Sequence, residues 1–296
     1  MLKQDEQHIR EHVKQKTVTL PDGTTLPCIG QGTWHMGEKQ ADRKQEVHAL
    51  QFGIDLGMTV LDTAEMYGDG EAERVAGEAI KGRRDEVFLV SKVYPHHAGR
   101  EHLQAACENS LKRLETDTID LYLLHWRGSV PLAETIEEME KLKAAGKIKR
   151  WGVSNFDTAD MNELISKKDG HYCMTNQVLY HLGSRGIEYD LLPWQKQQNM
   201  PVMAYCPLAQ GGALRQQLLT NPTINEIADC YEASPLQVAL AWTVVSNHVI
   251  SIPKASNQRH VKENARAASI SLTKEECLQL DQAFPPPTRK MPLDIV

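Results

Sequence analysis

Met58-Thr59-Val60-Leu61-Asp62-Thr63-Ala64-Glu65-Met66-Tyr67-Gly68 is the stretch on which the reading of this chain turns. Met58 to Leu61 has the apolar, β-branched content of a short buried strand, and it runs straight into a carboxylate, Asp62. A phenol, Tyr67, follows on the loop beyond, ahead of Gly68, Asp69 and Gly70. Taken alone, Asp62 reads equally well as a capping residue with a half-exposed tyrosine nearby. The other strands decide between the two readings, because each also ends in a polar or reactive group.

Working outward, short β-rich runs alternate with longer runs of helical period. The strand bodies are Cys28–Gly32, Thr59–Leu61, Val87–Val90, Leu121–Leu124, Ile148–Val153, Met174–Val178, Val202–Ala204 and Val249–Ile252. They end at Gly32-Thr33, Asp62, Lys92, His125, Ser154, Gln177, Tyr205 and Lys254. Helical patterns fill the gaps: Arg43–Leu56, Glu71–Ile80, Arg100–Leu114, Ala133–Ala145, Thr158–Ile165, a stretch around Tyr189–Gln198, Pro235–Val245 and Gln258–Ala267. Ser234-Pro235 is a helix start, and Gly57 and Gly146 are helix stops. Alternating strands and helices imply a parallel sheet. Eight such units without a break predict a closed (β/α)8 TIM barrel. A doubly wound sheet is the competitor, but Gly30-Gln31-Gly32-Thr33-Trp34-His35 lacks the third glycine of a dinucleotide fingerprint.

Around this core, Thr17 to Pro27 reads as an N-terminal β-hairpin with Pro21-Asp22-Gly23 at its turn. Thr273–Phe284 reads as an extra C-terminal helix, with Thr273 at the N-cap and Glu276 completing a capping box. Residues 1–16 are charged and poor in apolar groups, so a frayed or loosely helical extension is expected, ahead of a single domain over 17–296. The chain has 296 residues and a formal net charge of -6. That mild acidity argues against a nucleic-acid binder. Six scattered cysteines form no close pair and no metal-ligand spacing, which suggests reduced thiols and a cytoplasmic protein. No apolar run reaches membrane-spanning length.

In a (β/α)8 barrel the C-terminal strand ends share one face, where active sites sit. That brings Asp62, Lys92 and His125 together, with Tyr67 on the loop after the second strand. A phenol has an ordinary pKa near ~10. An ammonium about 4 Å away, at an effective dielectric near ~20, would stabilise its phenolate by roughly 4 kcal/mol. The expected pKa shift is downward by up to about 3 units before desolvation is subtracted. Lys92 can play that part, Asp62 can hold Lys92, and His125 can orient a substrate oxygen. The set suits proton donation to a carbonyl oxygen as negative charge develops on it.

Reduction also needs a hydride source. Ser154, Asn155 and Gln177 are groups that can hydrogen-bond a carboxamide, and Tyr205 offers a flat face for stacking. Pro207-Leu208-Ala209-Gln210-Gly211-Gly212 is a loop whose backbone N–H groups can cover a pyrophosphate. Ile252-Pro253-Lys254-Ala255-Ser256-Asn257 leads into a helix start beside Lys254 and Arg259, an anion site.

These motifs together resemble the aldo-keto reductase family from the Thr17 hairpin to Phe284. The resemblance is carried by Asp62-Thr63-Ala64-x-x-Tyr67-Gly68, Ser91-Lys92, Leu121-Tyr122-Leu123-Leu124-His125-Trp126, Trp151-Gly152-Val153-Ser154-Asn155-Phe156, Asn176-Gln177, Ala204-Tyr205 and Ile252-Pro253-Lys254. It implies a catalytic tetrad of Asp62, Tyr67, Lys92 and His125, with Tyr67 as the acid. It implies an NADPH whose nicotinamide stacks on Tyr205 and whose carboxamide meets Ser154, Asn155 and Gln177. Further cofactor contacts are expected from Leu208, Gln210, Lys254, Ser256, Asn257, Glu263 and Asn264, and from Gly32, Thr33, Trp34, Asp62, Cys206, Pro207, Ile252, Arg259 and His260. Relatives often carry serine where Cys206 stands and arginine where His260 stands. Lys254 favours NADPH, and NADH remains possible.

The substrate implied is a small aldehyde, ketone or dicarbonyl such as methylglyoxal, with Trp34, Tyr67, His125 and Trp126 as its contacts. Trp34 and Trp126 either line that pocket or cap the barrel, and Met66 is either wall or packing. His96 and His97 read as exposed loop residues, and Cys206 as a packed thiol. No metal is expected, because His125 has no second ligand at suitable spacing. No nucleic-acid or membrane partner is expected, and the assembly expected is a monomer. A non-catalytic NADPH-binding protein on the same fold is the rival reading, and a metal-dependent hydrolase a more distant one.

Overall fold

The fold is given by a computed structural model that describes residues 2–296. A two-stranded antiparallel hairpin, β1 (Thr17–Thr19) and β2 (Thr25–Pro27), precedes eight parallel strands. These are β3 (Gln31–Gly32), β4 (Val60–Asp62), β5 (Phe88–Val93), β6 (Leu121–Leu124), β7 (Trp151–Ser154), β8 (Cys173–Leu179), β9 (Val202–Tyr205) and β10 (Val249–Ser251), each paired with the next. The helices in chain order are α1 (Gln4–Gln15), α2 (Arg43–Asp55), α3 (Glu71–Ile80), α4 (Leu103–Arg113), α5 (Leu132–Ala144), α6 (Thr158–Ser166), α7 (Leu191–Gln197), α8 (Gly212–Thr220), α9 (Pro222–Cys230), α10 (Pro235–Thr243), α11 (Gln258–Arg266) and α12 (Lys274–Ala283).

The last strand returns to the first. Ser251 N donates to Cys28 O at 2.8 Å, Gly30 N to Ser251 O at 2.8 Å and Gly32 N to Pro253 O at 3.1 Å. These bonds close the (β/α)8 barrel and remove the doubly wound alternative. They also explain Gly30 and Gly32, which do not belong to a phosphate loop. A Cβ on Gly32 would stand 2.7 Å from Ile252 O, and one on Gly30 2.7 Å from Val60 O. Gly32 lets the seam close this tightly, and Gly30 lets the chain entering β3 lie this close to β4.

Two apolar layers result. Inside the barrel, Val60, Val90, Leu123, Met203 and Ile250 pack with hairpin residues Val18, Leu20 and Leu26, so the hairpin plugs one end. Outside, alternate strand residues such as Leu61, Leu89, Tyr122 and Val153 pack against the helices. Period-two alternation gives each strand one face to each layer. Helix punctuation follows the expectations: Ser234 Oγ accepts from Gln237 N with Pro235 at the first helical position, Thr273 and Glu276 form a reciprocal capping box, and Gly57 and Gly146 have φ of 90° and 72°.

Two expectations need correction. Residues 4–15 are not frayed: α1 is a regular helix packed on α11, with Ile9 and Val13 buried. Two apolar residues one turn apart suffice to anchor a helix whose other faces are charged. The connection from β9 to α10, of which only residues 207–212 were assigned, as a loop, carries two further helices, α8 and α9. All six cysteines are free. Among the described residues no helix is long and apolar enough to cross a membrane.

Candidate active site

The C-terminal strand ends converge on one rim. Asp62 ends β4, Lys92 lies near the end of β5, His125 follows β6, Ser154 ends β7, Gln177 lies on β8 and Tyr205 ends β9. Tyr67 begins the short 3-10 turn Tyr67–Gly70, whose left-handed Gly68 and Asp69 fold the loop back over the barrel mouth.

Lys92 is the centre of the set and has no solvent exposure. Its Nζ lies 2.8 Å from Asp62 Oδ2, 2.8 Å from Thr63 O and 3.0 Å from Tyr67 OH. An ammonium has three N–H donors and no lone pair, so all three are used here and the Tyr67 oxygen must accept. The phenol's own proton is thereby left free to be donated elsewhere. Gln177 Nε2 donates to the other Asp62 oxygen at 2.8 Å. Behind the strand, Ser91 Oγ donates to Glu73 Oε1 at 2.6 Å, and Glu73 also takes Arg113, which ties β5 to α3 and α4.

Burial dominates the electrostatics. It pushes the Asp62 carboxyl up and the Lys92 ammonium down, each opposed by the partner's charge. The direct contact and the added hydrogen bonds favour the ionised pair. The Tyr67 phenol lies well above its ordinary value, through burial first and the Asp62 charge second. A lowered phenol was expected from Lys92 alone. The full site reverses the sign, because desolvation and Asp62 both penalise phenolate. Tyr67 is therefore a protonated donor at neutral pH. His125 is pushed down to about 2 by burial and then by Lys92, so its ring is neutral. It meets Tyr67 edge-on, ring centres 5.8 Å apart, and its Nδ1 has no protein partner.

A second web lies beside the first. Tyr205 OH donates to Asn155 Oδ1 at 2.9 Å, Asn155 Nδ2 donates to His125 O at 3.1 Å, and Ser154 Oγ donates to Gln177 O at 2.8 Å. Asn155 has φ of 58°, a left-handed conformation that asparagine tolerates better than most residues and that turns its side chain back into the web.

Two cavities meet at Trp34. The first, about 450 Å³, is walled by Trp34, Met66, Tyr67, His125 and Trp126, with Ser154, Asn155, Gln177 and Tyr205 at one end. The two tryptophans thus line a pocket rather than cap the barrel, and Met66 is wall. Arg127, from the loop after β6, and Ile295 and Val296, from the C-terminal tail, also line it. The tail is brought there by Lys290, 3.0 Å from Asp190, and by Asp294, which accepts from Ser184 Oγ.

The second cavity, about 460 Å³, holds Cys206, Pro207, Leu208, Gln210, Lys254, His260, Glu263 and Asn264 of the expected cofactor contacts. Ser256, Asn257 and Arg259 fall outside its lining, and Gly32, Thr33 and Ile252 lie at or beside the barrel seam. Arg215, from the unanticipated α8, also lines it. Cys206 is pushed up to about 11 by burial, which suits a packed thiol. His97 departs from expectation: it is half-buried, with Nδ1 3.1 Å from Glu65 Oε1.

Residues 28–284 match the family model described as Aldo/keto reductase family. The chain belongs to the aldo/keto reductase family. It is 56% identical to methylglyoxal reductase YeaE of Escherichia coli (strain K12) over 96% of this chain and 100% of that protein. It is 34% identical to glyoxal reductase of Bacillus subtilis (strain 168), over 90% of this chain and 91% of the relative. Among solved structures, an aldo/keto reductase from Klebsiella pneumoniae in complex with NADP and acetate superposes with a TM-score of 0.93 at 58% identity, covering 95% of this chain and 99% of that one. A second structure of an aldo-keto reductase from that organism, in complex with NADPH, gives a TM-score of 0.92 at 58% identity with the same coverage. The chain is an enzyme of this reductase family, and the non-catalytic alternative is set aside.

Proposed function

We propose that this enzyme reduces small aldehydes and dicarbonyls such as methylglyoxal, with Tyr67 as proton donor and Asp62, Lys92 and His125 as its supporting groups. The observation that carries the reading is the direction of the hydrogen bond at Tyr67: Lys92 gives, the phenol oxygen receives, and the phenol proton is left for a substrate.

The protein's cavities fit an NADPH. Tyr205, Asn155, Ser154 and Gln177 surround the inner end with an aromatic face and amide and hydroxyl groups. Lys254, Arg215 and His260 supply cationic or donor groups to the outer cavity, where an anionic nucleotide would lie. Thr33 Oγ1 is buried beside Trp34 without a protein partner. The enzyme is NADPH-dependent, and the bound cofactor supplies the hydride.

The chain's own residues do the rest. His125, neutral, offers a ring nitrogen to hold a carbonyl oxygen near the phenol. Tyr67 gives its proton to that oxygen as charge builds there. Lys92 then faces the phenolate at 3.0 Å, the one state in which its full charge acts on Tyr67. Asp62 keeps the ammonium in place, and Gln177 keeps Asp62 in place. Trp34, Trp126 and Met66 form an apolar wall beside the reacting atoms.

We read residues 17–296 as one catalytic domain with α1 appended, acting in the cytoplasm as a monomer on a small carbonyl substrate, without nucleic-acid or membrane partners. A panel of aldehydes, ketoses and dicarbonyls run with NADPH and with NADH tests the substrate claim. Faster turnover of small dicarbonyls than of ketoses with NADPH is expected. A panel with no dicarbonyl reduction refutes it.

A further inference from the structure

Glu65 is a carboxylate that the chemistry above leaves unused, and only 9% of it is exposed. It stands two residues before Tyr67, on the loop that carries the proton donor over the barrel mouth. Its Oε1 lies 2.7 Å from Tyr94 N and 3.1 Å from His97 Nδ1. A carboxylate offers only acceptors, so both groups donate to it. Burying it costs free energy unless such bonds are made. Tyr94 stands two residues after Lys92. Tyr94 to His97 form the tight turn by which the chain leaves β5, closed by His97 N on Tyr94 O at 3.0 Å. One carboxylate thus spans that turn from the neighbouring loop.

The exit of β5 is the fixed reference of the site. It bears Lys92, whose three protons go to Asp62, Thr63 O and Tyr67. One residue on, Val93 O accepts from His125 N at 3.0 Å, so the strand that carries the ammonium also sets the imidazole. The Tyr67 loop must be held against this exit. Thr63 N donates to Val90 O at 2.9 Å, at the start of the loop. Further along, Glu65 N reaches Lys92 O only at 3.3 Å, just beyond the ordinary range. Tyr67 N then turns back to Ala64 O at 3.1 Å, inside its own loop. The Glu65 side chain supplies the short bond between the two segments that the main chain lacks here.

We propose that Glu65 is a positioning residue for proton transfer: it fastens the Tyr67 loop to the exit of β5 and so holds the phenol in register with Lys92 and His125. Glu65 lines neither cavity, so its effect on the rate runs through Tyr67. A misplacement of about 1 Å at the reacting atoms costs on the order of a hundredfold in rate. Loss of the clamp therefore reaches the chemistry with all four tetrad side chains intact. A second route has to be told apart from this one. The Tyr94 ring meets Trp126 edge-on, ring centres 5.9 Å apart, and Trp126 is a wall of the inner pocket. A clamp acting through that wall would change KM and leave kcat alone.

This inference rests on Tyr67 as the proton donor, and the experiment keeps the two claims apart. Methylglyoxal reduction by the full-length enzyme is followed in the native protein, Glu65→Ala, Tyr67→Phe and the double variant, with NADPH titrations and urea melts on the same samples. Glu65→Ala should lower kcat by about ten- to a hundredfold and leave KM and NADPH affinity within about twofold. On the Tyr67→Phe background the same change should cost less than about twofold, because the group being positioned is gone. Glu65→Gln keeps an oxygen for Tyr94 N and His97 and should restore most of kcat. His97→Ala removes one of the two bonds from the other side and should show the same pattern at about two- to fivefold. It takes the place of Glu65→Ala in the cycle where that variant does not fold. Native kcat in the folded alanine variant, a loss confined to KM, no rescue by Glu65→Gln, or an equal loss with and without the Tyr67 hydroxyl overturns the proposal. Reduction at the native rate by Tyr67→Phe alone overturns the Tyr67 reading; a slow Tyr67→Phe with additive losses overturns only the positioning role.

Discussion

Replacing Lys92 with methionine removes the charge opposite the phenol and leaves the shape. The ammonium lies 3.0 Å from the Tyr67 oxygen. At an effective dielectric of about 20, it stabilises a phenolate there by roughly 5 to 6 kcal/mol. Proton transfer is only part complete at the barrier, so about half of that, ~3 kcal/mol, belongs to the transition state. A loss of ~3 kcal/mol is about a hundredfold in kcat. A second effect must be kept apart from the first. Asp62, 2% exposed, would be left buried without its partner, at about 3–5 kcal/mol of stability. The informative comparison is therefore Lys92→Met against Asp62→Asn/Lys92→Met. The double variant should regain most of the lost thermal stability and none of the activity. Steady-state turnover, denaturant melts and NADPH fluorescence on the same samples separate the terms. A folded, NADPH-binding Lys92→Met enzyme within tenfold of native kcat would refute the reasoning.

Three other outcomes are expected. Gly32→Ala puts a Cβ 2.7 Å from Ile252 O at the barrel seam and should cost about 1–3 kcal/mol in a urea melt; a change below ~0.5 kcal/mol would mean the seam is loose. Val13→Ala should cost about 1–2 kcal/mol, because α1 is anchored by buried Val13; no loss would mean α1 is detached in solution. His125 and His181 are held down to about 2 and about 4, both chiefly by burial. A histidine depressed on folding contributes stability that is present above its unfolded value, near ~6.5, and is lost as pH falls toward the folded value. Each should remove up to about 1.4 kcal/mol per pH unit between roughly pH 6 and 4.5, and His125→Asn should flatten that slope. Parallel stability curves for native and variant would contradict the assignment.

The barrel was legible in the sequence because its signals are local. Strand bodies such as Leu121–Leu124 and helix starts such as Ser234-Pro235 announce themselves within a few residues. The clustering of Asp62, Lys92 and His125 was legible for a related reason: closure of a (β/α)8 sheet brings strand ends together whatever the loops do, so these residues needed only their strands to be found. What escaped depended on contacts across the chain. The place of α1 rests on Ile9 and Val13 meeting α11, and nothing within residues 1–16 tells of that partner. Which residues of the C-terminal tail reach the pocket depends on Ser184 and Asp190 catching Asp294 and Lys290. The sign of the Tyr67 shift was misjudged because a pairwise Lys92 term can be estimated from sequence, whereas the desolvation that outweighs it belongs to the packed site.

The most direct test of the central claim is a single-turnover experiment on Tyr67→Phe loaded with NADPH and mixed with excess methylglyoxal. The account predicts unchanged NADPH affinity and cofactor oxidation slowed by about 10² to 10⁴. Oxidation at the native rate in that variant would contradict the assignment of the proton to Tyr67.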